Sequence, residues 1–169
     1  NAARVTEVVI HHSGVENGPR GSDAVKAFER HHMGKGWDGI GYNWLVDESG
    51  VIFEGRGWDS RGAGTKGWNS RSISVCFTGW GFHKPSDAAL RSLQTVVDAA
   101  EYHFGKGLWV STHRKKSTKG YTTCPGDWLG DWVENGMGTS EPPEKVDWAA
   151  IIQFFKDLHE QVKKRPLSR

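Results

Sequence analysis

The residues best suited to hold a metal stand at places where a fold could gather them. His11-His12 closes the apolar run 5–10, His113 follows the apolar run 108–111, and Cys124 precedes Pro125-Gly126. Two imidazoles and a thiolate form a donor set for zinc, with a fourth position left for water. Zinc held in this way lowers the pKa of its water to about 7 and polarises a carbonyl, so an amide is open to attack near neutral pH without a protein nucleophile. His11 and His12 are adjacent on a predicted strand, so their side chains take opposite faces and one metal recruits only one of them. Periodicity does not choose between the two. The chain has eight histidines, and spacing by itself leaves ordinary polar side chains as the alternative.

Each donor needs an element to place it. The run 5–10 reads as a strand covered on both faces. Ser22 caps a predicted helix carrying Val25 and Phe28 and ending near Gly34-Lys35-Gly36, with His31 and His32 in its last turn. Segments 42–46 and 51–54 flank Asp47-Glu48-Ser49-Gly50 as a hairpin, and the Gly- and Trp-rich stretch 55–72 reads as a long ordered loop. Residues 73–78 alternate as a strand. Ser86 then caps a helix bearing Leu90, Leu93, Val97, Ala100 and Phe104, which Gly105 closes. A short strand over 108–111 leads to His113 and to a loop, 114–123, with four basic residues. Glu141-Pro142-Pro143-Glu144 marks a boundary, followed by a predicted helix with Trp148, Ile151, Ile152, Phe155, Leu158 and Val162 on one stripe. This order implies an α/β fold, a mixed central β-sheet flanked by helices. The strand ends deliver His11, His113 and Cys124 to one cleft.

Composition narrows the function classes. At 169 residues and 36% hydrophobic content the chain suits one domain of ordinary size. The net charge of +2, from 22 basic and 20 acidic residues, is too balanced for a nucleic-acid binder that relies on phosphate neutralisation. No window approaches the roughly 18 apolar residues of a membrane span. Two cysteines, one in an apolar run and one before a Pro-Gly turn, do not suggest a disulfide framework. The nine tryptophans suit either stacking on sugar rings or packing in the core. No repeat occurs at the roughly 20–50-residue spacing of solenoids.

Several motifs in order resemble the type 2 N-acetylmuramoyl-L-alanine amidase and peptidoglycan recognition protein family. They are Val9-Ile10-His11-His12-Ser13, Gly36-Trp37-Asp38-Gly39-Ile40-Gly41-Tyr42-Asn43-Trp44, Glu54-Gly55-Arg56-Gly57-Trp58, Gly62-Ala63-Gly64-Thr65-Lys66-Gly67-Trp68-Asn69-Ser70 and Thr122-Thr123-Cys124-Pro125-Gly126-Asp127. The similarity spans about 5–132. It implies the family's mixed-sheet fold, a Zn2+ cofactor held by His11, His113 and Cys124, and catalytic roles for Tyr42 and Thr122 in stabilising the oxyanion or positioning water. His12 is left as supporting structure. The implied reaction is hydrolysis of the amide between N-acetylmuramic acid and L-alanine in bacterial peptidoglycan. The alternatives are a non-catalytic peptidoglycan-binding module or an immune-type receptor.

The sequence departs from the family pattern at Gly64, where many members have histidine, and in a 114–123 loop a few residues longer than usual. It also lacks the early cysteine pair common in animal recognition proteins, which favours a phage endolysin or bacterial autolysin. The expectations that follow are a zinc amidase domain over 1–140 and a 141–169 segment that docks on it or leads to a further wall-binding domain. The chain is expected to be a monomer that engages peptidoglycan and neither nucleic acid nor membrane. The first 15 residues show no signal-peptide core, so synthesis in the host cytoplasm with action on the cell wall is expected.

Overall fold

The chain divides into two compact units, Asn1–Thr139 and Ser140–Arg169. The computed structural model describes residues 4–105, 107–118, 120–138, 153 and 157. In the second unit Gln153 and Asp157 are helical and joined by an amide-to-carboxylate hydrogen bond of 2.7 Å. The apolar stripe expected there, and whether it docks or leads onward, lie outside the described residues.

The first unit is built on a five-stranded mixed sheet of β1 (Glu7–His12), β2 (Trp44–Val46), β3 (Ile52–Glu54), β4 (Ser72–Phe77) and β5 (Trp109–Thr112), in the order β3-β2-β4-β1-β5. Four strands run parallel, and β3 pairs antiparallel with β2 through the expected hairpin. All six residues of both β1 and β4 are buried, as required of parallel strands covered on both faces. The β1 ladder continues beyond the predicted run, because His11 pairs with Cys76 and His12 with Phe77. Both histidines therefore belong to the strand itself.

Helix α1 (Gly21–Gly34) links β1 to β2, and α2 (Asp87–Phe104) links β4 to β5. Register puts His11, Cys76 and Leu45 on one face. There Val25 and Phe28 of α1 pack with Tyr42 and Phe53 against Ile40, Leu45 and Cys76. Trp44 lies on the opposite face, where Trp58 bridges it to His103 and Phe104 at the end of α2. The predicted caps of α2 are present: Ser86 Oγ accepts the Ala89 N–H at 3.0 Å, and Gly105 adopts the left-handed conformation at φ 65°. A serine cap of this kind contributes about 1 kcal/mol.

The segment after β5 differs from the expected loop. His113 begins a one-turn helix, α3 (His113–Lys116), whose preceding residue Thr112 accepts the Lys115 N–H through its hydroxyl. A further helix, α4 (Asp127–Glu134), follows Cys124-Pro125-Gly126 and buries Leu129, Trp132 and Val133. Among the described residues no helix is long and apolar enough to cross a membrane.

Candidate metal centre

Parallel pairing of β1 with β5 brings the ends of these strands together, which sets His11 beside His113 with ring centroids 4.6 Å apart. Cys124 reaches the same point from the α3–α4 connection, its Sγ 3.8 Å from His11 Nδ1. One donor atom from each of the three lies within 4.8 Å of the other two. Tetrahedral zinc bound to imidazole nitrogen and thiolate sulfur holds those two atoms about 3.6 Å apart, so the donor set fits the metal that the sequence implies.

Protonation states favour metal capture. Burial, reinforced by His113 and His12, holds the His11 imidazole well below 6.5, and burial lowers His113 as well. Both rings are therefore neutral near pH 7 and have a lone pair to offer. Burial pushes the Cys124 thiol up to about 12, opposed by the His12 backbone N–H that donates to its sulfur at 3.3 Å. A nearby dication reverses this order, since a coordinating thiol is deprotonated outright.

His12 is not among the clustered donors. Its Nδ1 accepts the Gly81 N–H at 3.0 Å, and its ring lies beside Trp80 and Phe82. Its role is supporting, through this contact and through its backbone N–H on Cys124.

The cysteine is held from several directions. Thr122 Oγ1 accepts the Cys124 N–H at 3.1 Å, and the Arg114 N–H donates to the Cys124 carbonyl at 2.8 Å. The Cys124-Pro125 bond is cis. Gly126 adopts φ 90°, and a Cβ there would fall 2.4 Å from the Gly81 carbonyl carbon, so only glycine allows this turn to meet the Gly81 backbone. The Arg114 guanidinium pairs with Asp127, Asp131 and Glu134 at 3.2, 2.7 and 3.1 Å. Arg114, adjacent to the candidate ligand His113, thereby ties α4 to the cluster. Sequence reasoning counted it only as one of four basic loop residues; acidic groups at 127, 131 and 134 on one helical face were the available signal.

Tyr42 flanks the cluster, its ring centroid 5.4 Å from that of His11. It packs against the cluster of Ile40, Leu45 and Cys76, and burial holds the phenol well above 10, so it is neutral and able to donate. His32 supports this loop. Its Nδ1 accepts the Gly41 N–H at 3.1 Å, and its ring stacks on Trp37 with centroids 4.7 Å apart. Asn43, fully buried, fixes the other side by donating to the Gly57 and Ser60 carbonyls and accepting the Ser74 N–H. Neither role was anticipated for His32 or Asn43, since their partners are backbone groups that no side-chain spacing reveals. Thr65, also unassigned from sequence, lies with its Oγ1 3.1 Å from His11 Nε2.

The chain resembles several known proteins over most of its length. Residues 1–127 match the family model described as N-acetylmuramoyl-L-alanine amidase. Peptidoglycan-recognition protein SC1a of Drosophila melanogaster is 33% identical over 127 residues, covering 70% of this chain and 66% of that protein. The human N-acetylmuramoyl-L-alanine amidase is 33% identical over 132 residues, covering 72% of this chain and 22% of the relative. The chain thus spans just under two thirds of the fly protein and about a fifth of the human one. A crystal structure of tracheal cytotoxin bound to the ectodomain complex of recognition proteins LCa and LCx superposes with a TM-score of 0.71 at 33% identity, covering 79% of this chain and 82% of that one. With the family model matching well over half of its length, this chain belongs to the N-acetylmuramoyl-L-alanine amidase family, on the fold that this family shares with peptidoglycan recognition proteins.

Proposed function

We propose that this chain is a zinc-dependent peptidoglycan amidase that hydrolyses the bond between N-acetylmuramic acid and L-alanine. The observation that carries this reading is the convergence of His11, His113 and Cys124 donor atoms within 4.8 Å. A peptidoglycan-binding module without catalysis has no need of a thiol and two neutral imidazoles at one point. Zinc bound there supplies Lewis-acid polarisation of the amide carbonyl and activation of water.

The protein groups act around that chemistry. The neutral Tyr42 phenol donates a hydrogen bond to the carbonyl oxygen as negative charge develops on it. The Thr122 hydroxyl, while accepting the Cys124 N–H, retains its own proton to orient the attacking water. Water adds to the lactyl carbonyl, the C–N bond breaks, and the L-alanine amine leaves with a proton. Exposed Trp37, which stacks on His32 in the loop before Tyr42, offers its other aromatic face to the glycan. In this reading the protein is a monomeric endolysin, made in the host cytoplasm and acting on the bacterial wall.

The test is metal content together with release of free amine from purified cell walls, before and after chelation. About one zinc per chain with chelator-sensitive release of N-terminal alanine supports the amidase. Wall binding with neither zinc nor amine release overturns it in favour of a recognition module.

A further inference from the structure

His11 offers its two ring nitrogens to different partners. Nδ1 faces Cys124 Sγ at 3.8 Å, while Nε2, at the far side of the ring, meets Thr65 Oγ1 at 3.1 Å. A neutral imidazole carries one proton, so one nitrogen donates and the other accepts. A metal bound through Nδ1 needs the lone pair there, which places the proton on Nε2 and requires an acceptor for it. Both residues are almost fully buried.

The surroundings make Thr65 the natural acceptor. Its own position is fixed by a closed turn in which its N–H donates to Asn69 Oδ1 at 2.7 Å and its carbonyl accepts the Trp68 and Asn69 N–H groups. The preceding residue, Gly64, brings the loop backbone against the ring. A Cβ at Gly64 would fall 3.1 Å from Nε2 and 2.8 Å from Ser74 Oγ. The glycine that stands where many family members have histidine thus leaves no Cβ against the imidazole here. In the opposite tautomer Thr65 donates to Nε2, and Nδ1 points a proton at Cys124, which blocks coordination.

We infer that Thr65 is a positioning residue for His11, accepting the Nε2 proton and so presenting the Nδ1 lone pair to the metal. The inference rests on the zinc reading above and goes beyond it. Accessory partners of this kind typically change metal affinity by about 10–100-fold. T65V keeps the shape of the side chain and removes the acceptor, whereas T65S keeps the acceptor.

The experiment is competition of the purified chain against a chromophoric zinc chelator, with thermal melting as the check on folding. T65V is expected to bind zinc about 10–100-fold more weakly, with T65S near the parent. S74A, which removes the neighbouring buried hydroxyl, is expected to keep parent affinity. Equal affinity of T65V and the parent overturns the role of Thr65 while leaving the zinc site intact. A loss in S74A as large as that in T65V also overturns it, because the effect would then be one of general polarity. Failure of the parent to bind zinc overturns the metal reading and this inference with it. Should T65V not fold, long-range 1H–15N correlation of the zinc-loaded parent decides: a proton on His11 Nε2 supports the assignment, and a proton-free Nε2 contradicts it.

Discussion

His11 and His12 are chain neighbours on one strand, yet they work in two separate regions. His11 turns toward α1, where His113, Cys124, Tyr42 and Thr65 surround it. His12 turns the other way, where Gly81 occupies its Nδ1 and Trp80 and Phe82 enclose its ring. Burial lowers both imidazoles, His12 to about 4, so desolvation does not separate a ligand from a support. What separates them is what each ring nitrogen already holds. One Nδ1 is engaged by a backbone donor, and the other faces a thiol.

The sharpest break of this comparison is H11A beside H12A. H11A is expected to lose its zinc and, with it, amine release by at least about a thousandfold, as read by metal analysis and hydrolysis of a muramoyl peptide. H12A keeps the backbone N–H on Cys124 and is expected to retain zinc. Loss of zinc from both variants to the same degree would erase the distinction between the two regions.

Y42F tests the His11 side without touching a candidate ligand. It is expected to bind zinc like the parent while kcat falls about 10²–10³-fold, the usual cost of losing one oxyanion donor. An unchanged kcat would limit Tyr42 to its packing on His11 and against Cys76.

On the support side the effect is one of stability. H12A leaves the Gly81 N–H without its partner and opens a gap beside Trp80 and Phe82, at a cost of about 2–3 kcal/mol. For a chain of this size that lowers Tm by roughly 4–12 °C. A melting curve matching the parent would show that the Gly81 contact contributes nothing.

The smallest effect concerns His32, which holds the Tyr42 loop by accepting from Gly41. Burial foremost, then His31, Lys35 and Arg56, lowers its pKa below 6.5. The unfolded chain therefore takes up this proton first as pH falls. Stability from the contact is complete above 6.5 and is lost as pH drops through the lower folded value. H32N preserves an acceptor that does not titrate, so its Tm is expected to fall less than the parent's on acidification below pH 6.5. Parallel declines in the two would remove His32 as a contributor to acid sensitivity.

Much of this arrangement was legible in the sequence because it rests on local chemistry. The apolar runs gave β1 and β4, Ser86 and Gly105 bounded α2, and the motif around Tyr42 led into the hairpin. The helix α4 was not anticipated, because Trp128, Leu129, Trp132 and Val133 form a stripe of barely two turns, interrupted by Gly130. That glycine is packed under Arg114, whose guanidinium carbon lies 2.6 Å from where a Cβ would be. The cation stabilising the helix thus comes from a separate segment. The choice of His11 over His12 was equally hidden from periodicity, since it depends on Gly81 and Thr65, some 70 and 54 residues away in the chain. The motif resemblance favours His11, and it is His11 whose donor atom lies with those of His113 and Cys124.

Zinc K-edge X-ray absorption on the zinc-loaded chain tests the central claim most directly. The expected first shell holds one sulfur at about 2.3 Å and two imidazole nitrogens at about 2.0–2.1 Å, with one light atom completing four-coordination, and the sulfur disappears in C124A. A shell of oxygen and nitrogen alone in the parent, or a sulfur contribution that survives in C124A, would contradict it.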